Sequence, residues 1–143
     1  YLQDQLGDIR IPFMMVKDDP FEMIHLTDIV LVASGTATLQ VGLMHKPMVI
    51  MYKLKWLTGV IARLLIGRGK LFGLVNLVLG KEVVPERVQG QADPQTLFKE
   101  MSRYIEDANY RNQVIQELQK VQSKLGDKGA TRRVAAALEV YFK

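Results

Sequence analysis

Residues 28–52, DIVLVASGTATLQVGLMHKPMVIMY, decide the fold class of this chain. The run IVLVA at residues 29–33 is continuous and apolar with β-branched side chains, a pattern typical of a strand buried on both faces of a parallel sheet. Residues 36–44 follow with a helical pattern, and PMVIMY at residues 47–52 has the composition of a second strand. Strand, helix and strand in this short space predict a βαβ unit with parallel strands and a right-handed crossover.

A glycine and small hydroxyl side chains lie at the carboxyl end of the first predicted strand, in VASGTATLQ at residues 32–40. Ligands of open α/β sheets bind at this edge, where the next helix presents unpaired N–H groups and a partial positive charge. Gly35 would let a phosphate group approach the backbone, while Ser34 or Thr36 would donate to its oxygens. Gln40 lies one turn further along the helix, within reach of a neighbouring sugar hydroxyl. The residues alone leave open a helix N-cap without a ligand, because Ser, Thr and Gly are ordinary capping residues.

The regions outside this unit are predicted to be mainly helical. A short helix is expected over residues 21–26, and residues 9–16 are apolar and β-prone. Beyond residue 52 the pattern predicts, in chain order, a basic amphipathic helix (56–65), an apolar helix or strand (71–79), a single helical turn (85–89) and three further helices (93–105, 109–125 and 131–142). Two or three strands do not fill an α/β sheet, so we expect further strands upstream of Tyr1 in a longer protein.

This order predicts an α/β fold with a Rossmann-like parallel sheet and a C-terminal helical region. We assign residues 1–92 to the sheet-containing region and residues 93–143 to helices of the same domain. The length of 143 residues fits one domain, and a hydrophobic content of 48% is enough to form a core. Asn76 is the only polar side chain in the apolar stretch at residues 71–79, and a buried Asn requires hydrogen-bond partners.

The composition excludes several kinds of site. The chain has no cysteine, which excludes disulfides, a Cys-ligated metal and a thiol nucleophile. Its two histidines, His25 and His45, lie far apart in the sequence, so neither a metal site nor a catalytic pair is expected. Ser34 lacks the Gly-x-Ser-x-Gly elbow, which argues against a hydrolase. No charge-free apolar run of about 18 residues occurs, so we expect no membrane-spanning helix.

The net charge of +4 is concentrated in one segment. Residues 53–70 carry five basic and no acidic side chains, whereas residues 1–52 carry three basic and six acidic ones and residues 71–143 carry eleven and nine. A basic amphipathic helix with a Trp suggests contact with an anionic membrane surface, through Lys53, Lys55, Trp56, Arg63, Arg68 and Lys70. A core-packed helix with a solvated basic face is the open alternative. No nucleic acid partner is expected, because no nucleic-acid-binding signature accompanies the basic residues.

Residues 28–52 resemble the donor-nucleotide region of lipid-A-disaccharide synthases, which are GT-B glycosyltransferases. Two downstream elements agree with that family in order and spacing. Asn76 with Leu77 resembles the family's Leu-Pro-Asn-Leu element, and EVVPERVQ at residues 82–89 resembles its Val-Pro-Glu-x-x-Gln element. The resemblance covers residues 28–89 and implies the C-terminal half of a GT-B fold. It also implies a binding site for a UDP donor at Ser34, Gly35, Thr36, Ala37, Gln40, Asn76, Glu86 and Gln89.

The resemblance implies a function for the longer protein. A member of this family would transfer a diacylated glucosamine from UDP-2,3-diacylglucosamine to 2,3-diacylglucosamine 1-phosphate, giving the lipid A disaccharide and UDP. No metal and no other cofactor is implied. The protein would lie on the cytoplasmic face of the inner membrane, and a homodimer is one assembly that it could form.

The division of work within the family limits what this chain would do. The acceptor groove and general base belong mainly to the N-terminal half, so we expect this chain to bind the donor, to hold no catalytic residue and to be inactive without that half. The alternatives are the donor domain of another GT-B enzyme and a non-catalytic, basic amphipathic module that associates with membranes.

Two residues depart from the family pattern. Gln40 stands where the family usually has Glu, which commonly accepts hydrogen bonds from ribose hydroxyls in GT-B enzymes. An amide accepts through one oxygen and carries no charge, so weaker or altered nucleotide binding is expected. Val75 stands where the family has Pro before the Asn, which puts the local backbone turn in question.

Overall fold

The computed structural model describes residues 12–17, 19–33, 35–52, 71–126 and 129–139. Within these ranges, strands and helices alternate in the first part of the chain and helices follow in the second. The strands are β1 (Val30–Ala33), β2 (Met48–Tyr52) and β3 (Glu86–Val88). The helices are α1 (Pro20–Leu26), α2 (Ala37–Leu43), α3 (Leu74–Leu79), α4 (Pro94–Glu106), α5 (Ala108–Leu118), α6 (Lys120–Leu125) and α7 (Ala130–Glu139), with a 3₁₀ turn at Gln89–Gln91.

The three strands form one parallel sheet in the order β1–β2–β3. Val30 pairs with Met48 and Ala33 pairs with Met51, so β1 runs beside the first four residues of β2. Because α2 connects these two parallel strands, residues 28–52 form the predicted βαβ unit. The α/β class, with a parallel sheet compatible with a Rossmann-like fold, is therefore confirmed.

β1 is an edge strand of the described sheet, and its two faces are not equally covered. Val32 is buried, whereas Leu31 is 42% exposed and Ala33 is also exposed. The prediction of burial on both faces is therefore wrong for β1, although the first three residues of β2 are buried on both faces. The apolar run predicted the strand itself correctly. Burial of both its faces, however, requires a second element packed on the other face of the sheet.

The prediction of a helical turn over residues 85–89 is also wrong. Glu86–Val88 form β3, which pairs with the last three residues of β2, and the 3₁₀ turn begins only at Gln89. The carbonyl of Pro85 accepts a hydrogen bond from the N–H of Ile50 at 2.9 Å, so pairing starts at the proline. A neighbouring buried strand has outweighed the local preference of Pro followed by an acidic residue.

Three other predicted segments differ in detail. The helix predicted over residues 109–125 is two helices, α5 and α6, which separate at Gln119 although φ and ψ there, −58° and −23°, remain helical. The apolar stretch at residues 71–79 contains a helix, α3, which ends at the left-handed Gly80 with φ of +75°. Of the β-prone stretch at residues 9–16, the part from residue 12 has no regular structure, and residues 9–11 lie outside the described ranges.

Helices α2 and α3 pack closely at Gly42. A Cβ atom at this position would lie 2.6 Å from Cγ2 of Val75 and 3.9 Å from Cδ2 of Leu118. Gly42 and Val75 are both buried, as is Val41 beside them. The lack of a side chain at residue 42 therefore lets the two helices approach each other next to the sheet.

Tyr104 of α4 attaches the C-terminal helices to the sheet. Its fully buried side chain donates a hydrogen bond to the carbonyl of Met48 at 3.0 Å, and its ring stacks on Tyr110 of α5 with the centroids 5.2 Å apart. The guanidinium of Arg103 lies 3.6 Å from the centroid of the Tyr110 ring. Burial, followed by the neighbouring Tyr110, raises the pKa of Tyr104, so its hydroxyl remains a neutral donor.

Replacing Gly42 by alanine tests the packing of α2 on α3. Although alanine favours helices over glycine, we expect Gly42→Ala to lower the free energy of unfolding by about 1–3 kcal/mol, because the new methyl group would overlap Val75. Chemical denaturation measures this change. Gly90→Ala is the matched control, since a Cβ atom there meets nothing within 4 Å. A Gly42→Ala protein as stable as the wild type would contradict the close approach.

Candidate functional site

The carboxyl ends of the three parallel strands meet at one edge of the sheet. β1 ends at Ala33, β2 at Tyr52 and β3 at Val88, and Tyr52 pairs directly with Val88. The turn that leads into α2 and the 3₁₀ turn that follows β3 therefore leave the sheet at the same edge. Of the predicted donor-binding residues, the ones at this edge are Gly35, Thr36, Ala37 and Gln89.

The turn between β1 and α2 depends on Gly35. Its φ of +149° lies in a region that residues with a side chain rarely adopt, although a Cβ atom there would meet nothing within 4 Å. The carbonyl of Gly35 accepts two hydrogen bonds from Thr38, one from the hydroxyl at 2.8 Å and one from the N–H at 3.2 Å. Because Thr38 is fully buried, the turn is held from its inner side.

The amino-terminal end of α2 has no capping side chain from Thr36. This residue occupies the N-cap position with helical φ and ψ, but its hydroxyl makes no capping hydrogen bond and its side chain is exposed. Thr36 therefore does not act as the cap that the sequence left open as an alternative, while Ser34 lies outside the described residues. The exposed hydroxyl and the first N–H groups of the helix are suited to an anionic group.

Gln40 lies one turn into α2, and its side chain is half-buried. Its backbone N–H donates to the carbonyl of Thr36 at 3.3 Å, which places the two residues on the same side of the helix. Among the described residues, the structure records no hydrogen bond to the Gln40 side-chain amide.

Asn76 is fully buried, and the predicted need for hydrogen-bond partners is met entirely within the chain. Its Nδ2 donates to the carbonyl of Val84 at 2.8 Å and to Oε1 of Glu86 at 2.7 Å. Its Oδ1 accepts from the N–H groups of Val83 and Val84 at 2.9 and 3.1 Å. Both N–H donors of the Asn76 amide are therefore in use, and its oxygen accepts two backbone hydrogen bonds. A ligand could bind this amide only by displacing one of these bonds.

Val75, which stands where the family has proline, lies in the first turn of a regular helix. It is the second residue of α3, whose N-cap is Gly73, and it lies fully buried against the position of Gly42. Proline is accepted in the first turn of a helix because the N–H there has no partner within the helix. Either residue is therefore compatible with the start of α3.

Glu86 has its carboxylate turned towards α3. Oε2 accepts a hydrogen bond from the N–H of Phe72 at 2.7 Å, and Oε1 accepts the bond from Asn76. The ring of Phe72 stacks on Tyr52, with centroids 6.3 Å apart and an angle of 17° between the planes. No sequence pattern indicated this ring contact, because it joins residues on either side of a long intervening segment.

Arg87 points to the opposite face of β3, because side chains alternate along a strand. Its guanidinium donates to Glu100 of α4 through Nε at 3.0 Å and through Nη2, and to Glu82 through Nη1 at 3.4 Å. Burial alone would lower the pKa of Arg87, but the hydrogen bond and charge of Glu100, with those of Glu82, raise it overall. This cation is therefore engaged within the chain.

The predicted membrane-contact residues, Lys53, Lys55, Trp56, Arg63, Arg68 and Lys70, lie outside the described residues. Within the ranges that the structure does describe, no cluster of His, Asp or Glu could hold a metal ion. No helix in those ranges is long and apolar enough to cross a membrane.

Comparison with known proteins shows which family this chain is similar to. Residues 4–140 match the family model described as lipid-A-disaccharide synthetase. A lipid-A-disaccharide synthase from Anaeromyxobacter dehalogenans is 42% identical over 114 residues, which cover 80% of this chain and 30% of that protein. Proteins with the same name from Syntrophus aciditrophicus and Trichlorobacter lovleyi are 33% and 35% identical over 94% and 91% of this chain. The chain spans 30–35% of the length of these curated relatives.

Removing the amide of Asn76 should be costly. Asn76→Ala would leave two buried N–H groups and the Val84 carbonyl without their partner, so we expect a loss of about 3–5 kcal/mol in the free energy of unfolding. Thermal or chemical denaturation measures the loss. The control is Asn112→Ala, at an exposed helical position. Equal stability of the two variants would contradict the role of Asn76 in joining α3 to the segment before β3.

Proposed function

The chain belongs to the lipid-A-disaccharide synthase family, and on that premise we propose that it is the part of the enzyme that binds the UDP-sugar donor. The full enzyme would join UDP-2,3-diacylglucosamine to 2,3-diacylglucosamine 1-phosphate, forming the lipid A disaccharide and releasing UDP. The observation that carries this proposal is the turn at Gly35 and Thr36, which lies at the carboxyl edge of a parallel sheet in a chain matched to this family.

The proposed donor site follows from the polarity of that edge. The diphosphate would lie against the first N–H groups of α2 and the hydroxyls of Ser34 and Thr36, since the helix terminus is electropositive. Gly35 and Ala37 leave room for its approach, and the amide of Gln40 would contact the ribose. Gln89, which follows β3 at the same edge, would complete the site, while Asn76 and Glu86 would support it without contacting the donor.

We propose that the acceptor groove and the general base lie outside this chain. The chain spans only about a third of the length of its relatives, and the groups proposed to contact the donor, before and along α2 and at Gln89, are neutral. The hydrogen bond from Tyr104 to Met48 supports treating residues 1–92 and 93–143 as one donor-binding domain. No catalytic residue is assigned to it, and it would need the N-terminal half of the enzyme for activity.

Membrane contact through residues 53–70 is the second part of the proposal. The segment carries five basic side chains and Trp56, and the full enzyme's proposed substrates are acylated. Tyr52 and Phe72, which lie on either side of this segment in the sequence, stack on each other, and Tyr52 ends β2 at the carboxyl edge of the sheet. An enzyme bound in this way would act at the cytoplasmic face of the inner membrane.

Titration of the labelled protein with UDP tests donor binding. We expect NMR shifts of the amides of Gly35, Thr36 and Ala37 and of the Gln40 side chain, while the amides of α5 stay unchanged. A well-folded protein whose spectrum is unaffected by millimolar UDP would refute the donor-binding role.

Gln40→Glu tests the contact to ribose. Hydrogen bonds to a charged acceptor are stronger than those to an amide, so we expect UDP to bind more tightly by about 1 kcal/mol, roughly five-fold, as measured by calorimetry. Gln95→Glu makes the same chemical change at an exposed position of α4 and should leave affinity unchanged. Unchanged or equally altered affinity in both variants would place the ribose elsewhere.

Sedimentation with vesicles tests the membrane contact. We expect binding to vesicles containing phosphatidylglycerol and none to phosphatidylcholine alone, with binding lost when Lys53, Lys55, Arg63, Arg68 and Lys70 are changed to Gln, because each basic group near an anionic surface contributes about 1 kcal/mol. The control changes five other basic residues, Lys17, Lys99, Arg111, Lys124 and Arg132, to Gln. Equal binding by the two variants would contradict a contact made by residues 53–70.

A further inference from the structure

We propose that Glu86 is a positioning residue that holds Phe72 against Tyr52 at the carboxyl edge of the sheet, and that it does not contact the donor itself. Its effect on nucleotide binding rests on the proposed function, whereas its contacts within the chain do not. Three observations lead to this inference: the partners of the carboxylate, the space made for it at Gly73, and its level within the sheet.

Both carboxylate oxygens of Glu86 are engaged by groups of the chain. The N–H of Phe72 and the Nδ2 of Asn76 each donate to a different oxygen, and both distances are 2.7 Å. Hydrogen bonds to an ionised acceptor are short and strong. Because Asn76 is itself fixed by three backbone groups, the carboxylate is held in one orientation, facing the start of α3.

The chain leaves space for this carboxylate at Gly73. A Cβ atom on Gly73 would lie 3.1 Å from Oε1 of Glu86 and 2.4 Å from Cδ1 of Ile50. A side chain there would therefore overlap Ile50 and crowd the carboxylate of Glu86. The start of α3 is thus shaped to receive the carboxylate of a neighbouring strand.

The level of Glu86 in the sheet separates it from the proposed donor site. It pairs with Ile50, two residues before the end of β2, so its backbone lies about 6–7 Å below the carboxyl edge. Tyr52 ends β2 at that edge, and its neighbour Met51 pairs with Ala33, the last residue before the turn into α2. Phe72, whose N–H is bound by Glu86, stacks on the residue that ends β2 at this edge.

Amide exchange measures the contact directly. In the wild type the Phe72 N–H should exchange slowly, and in Glu86→Gln it should exchange roughly ten-fold faster or more, as expected for loss of a hydrogen bond to a charged group. Glu82→Gln is the matched control, because this nearby carboxylate contacts Glu86 and Arg87 but neither Phe72 nor Asn76. Equal exchange of Phe72 in the wild type and Glu86→Gln would overturn the proposal.

A second substitution distinguishes positioning from general destabilisation. In Glu86→Gln the side chain has one oxygen for two donors, the N–H of Phe72 and the Nδ2 of Asn76, and its NH₂ group faces one of them. Adding Asn76→Asp turns that second partner into an acceptor for the NH₂ group, so the remaining oxygen at position 86 is free for Phe72. We expect the double variant to recover slow exchange at Phe72, although it loses the donor to the Val84 carbonyl. Slow exchange of the Val83 and Val84 amides, which donate to the side chain of residue 76, shows that this region of the double variant is folded, and exchange at Phe72 as fast there as in Glu86→Gln would contradict the proposal.

UDP affinity links the contact to the proposed function. Phe72→Leu removes the ring but keeps the carboxylate and the N–H, and it should weaken UDP binding by the same factor as Glu86→Gln, with no further loss in the combined variant. A loss seen with Glu86→Gln alone would indicate a direct donor contact and overturn the positioning role. If the wild type does not bind UDP, the donor-binding proposal fails, whereas the exchange results at Phe72 still decide the contact.

Discussion

The buried amide of Asn76 is the interaction on which the rest of the described fold depends. A buried amide is costly unless its donors and acceptor are paired, and here they join α3 to the backbone just before β3. That connection places β3 (Glu86–Val88) beside β2, on the side opposite to β1, in a defined register. Glu86 then meets α3 on one face, while Arg87 meets Glu100 of α4 on the other. A three-residue strand is in this way tied to a helix on each face.

The parts of the fold that were predictable are those with local signals. The βαβ unit combines an apolar run, a helical pattern and a second apolar run, and each is visible within a few residues. β3 has no such signal, because ERV is short, two of its three residues are charged, and it follows a proline that suits a helix start. Its strand conformation comes from Ile50 and Tyr52 of β2 and from Asn76, which are distant in sequence. The exposure of Leu31 was unpredictable for the same reason, because the burial of a strand residue depends on which elements pack against that face of the sheet.

Connectivity explains what was predictable in the candidate site. Parallel strands place their carboxyl ends together, so the turn at Gly35 and the residue after β3 share an edge whatever the side chains are. The groups that support this edge carry no motif. Thr38 holds the Gly35 carbonyl from inside the helix, and Tyr52 stacks on Phe72, yet neither contact follows from spacing. For Asn76 the sequence indicated that partners must exist, but only the structure identifies Val83, Val84 and Glu86.

If the donor binds as proposed, replacing the neutral Gln40 by Glu would have two opposing electrostatic effects. A carboxylate would gain about 1 kcal/mol for each ribose hydroxyl it accepts, compared with an amide. It would also lie about 6 Å along the helix from the proposed diphosphate site at Thr36, where repulsion by each phosphate charge amounts to about 0.7 kcal/mol in water and about half of that at physiological salt. The hydrogen bonds outweigh the screened repulsion. Because salt weakens the repulsion more than the short hydrogen bonds, the gain in UDP affinity from Gln40→Glu should increase with ionic strength. Calorimetry at two salt concentrations measures this gain, and a gain that decreases with salt would contradict the argument.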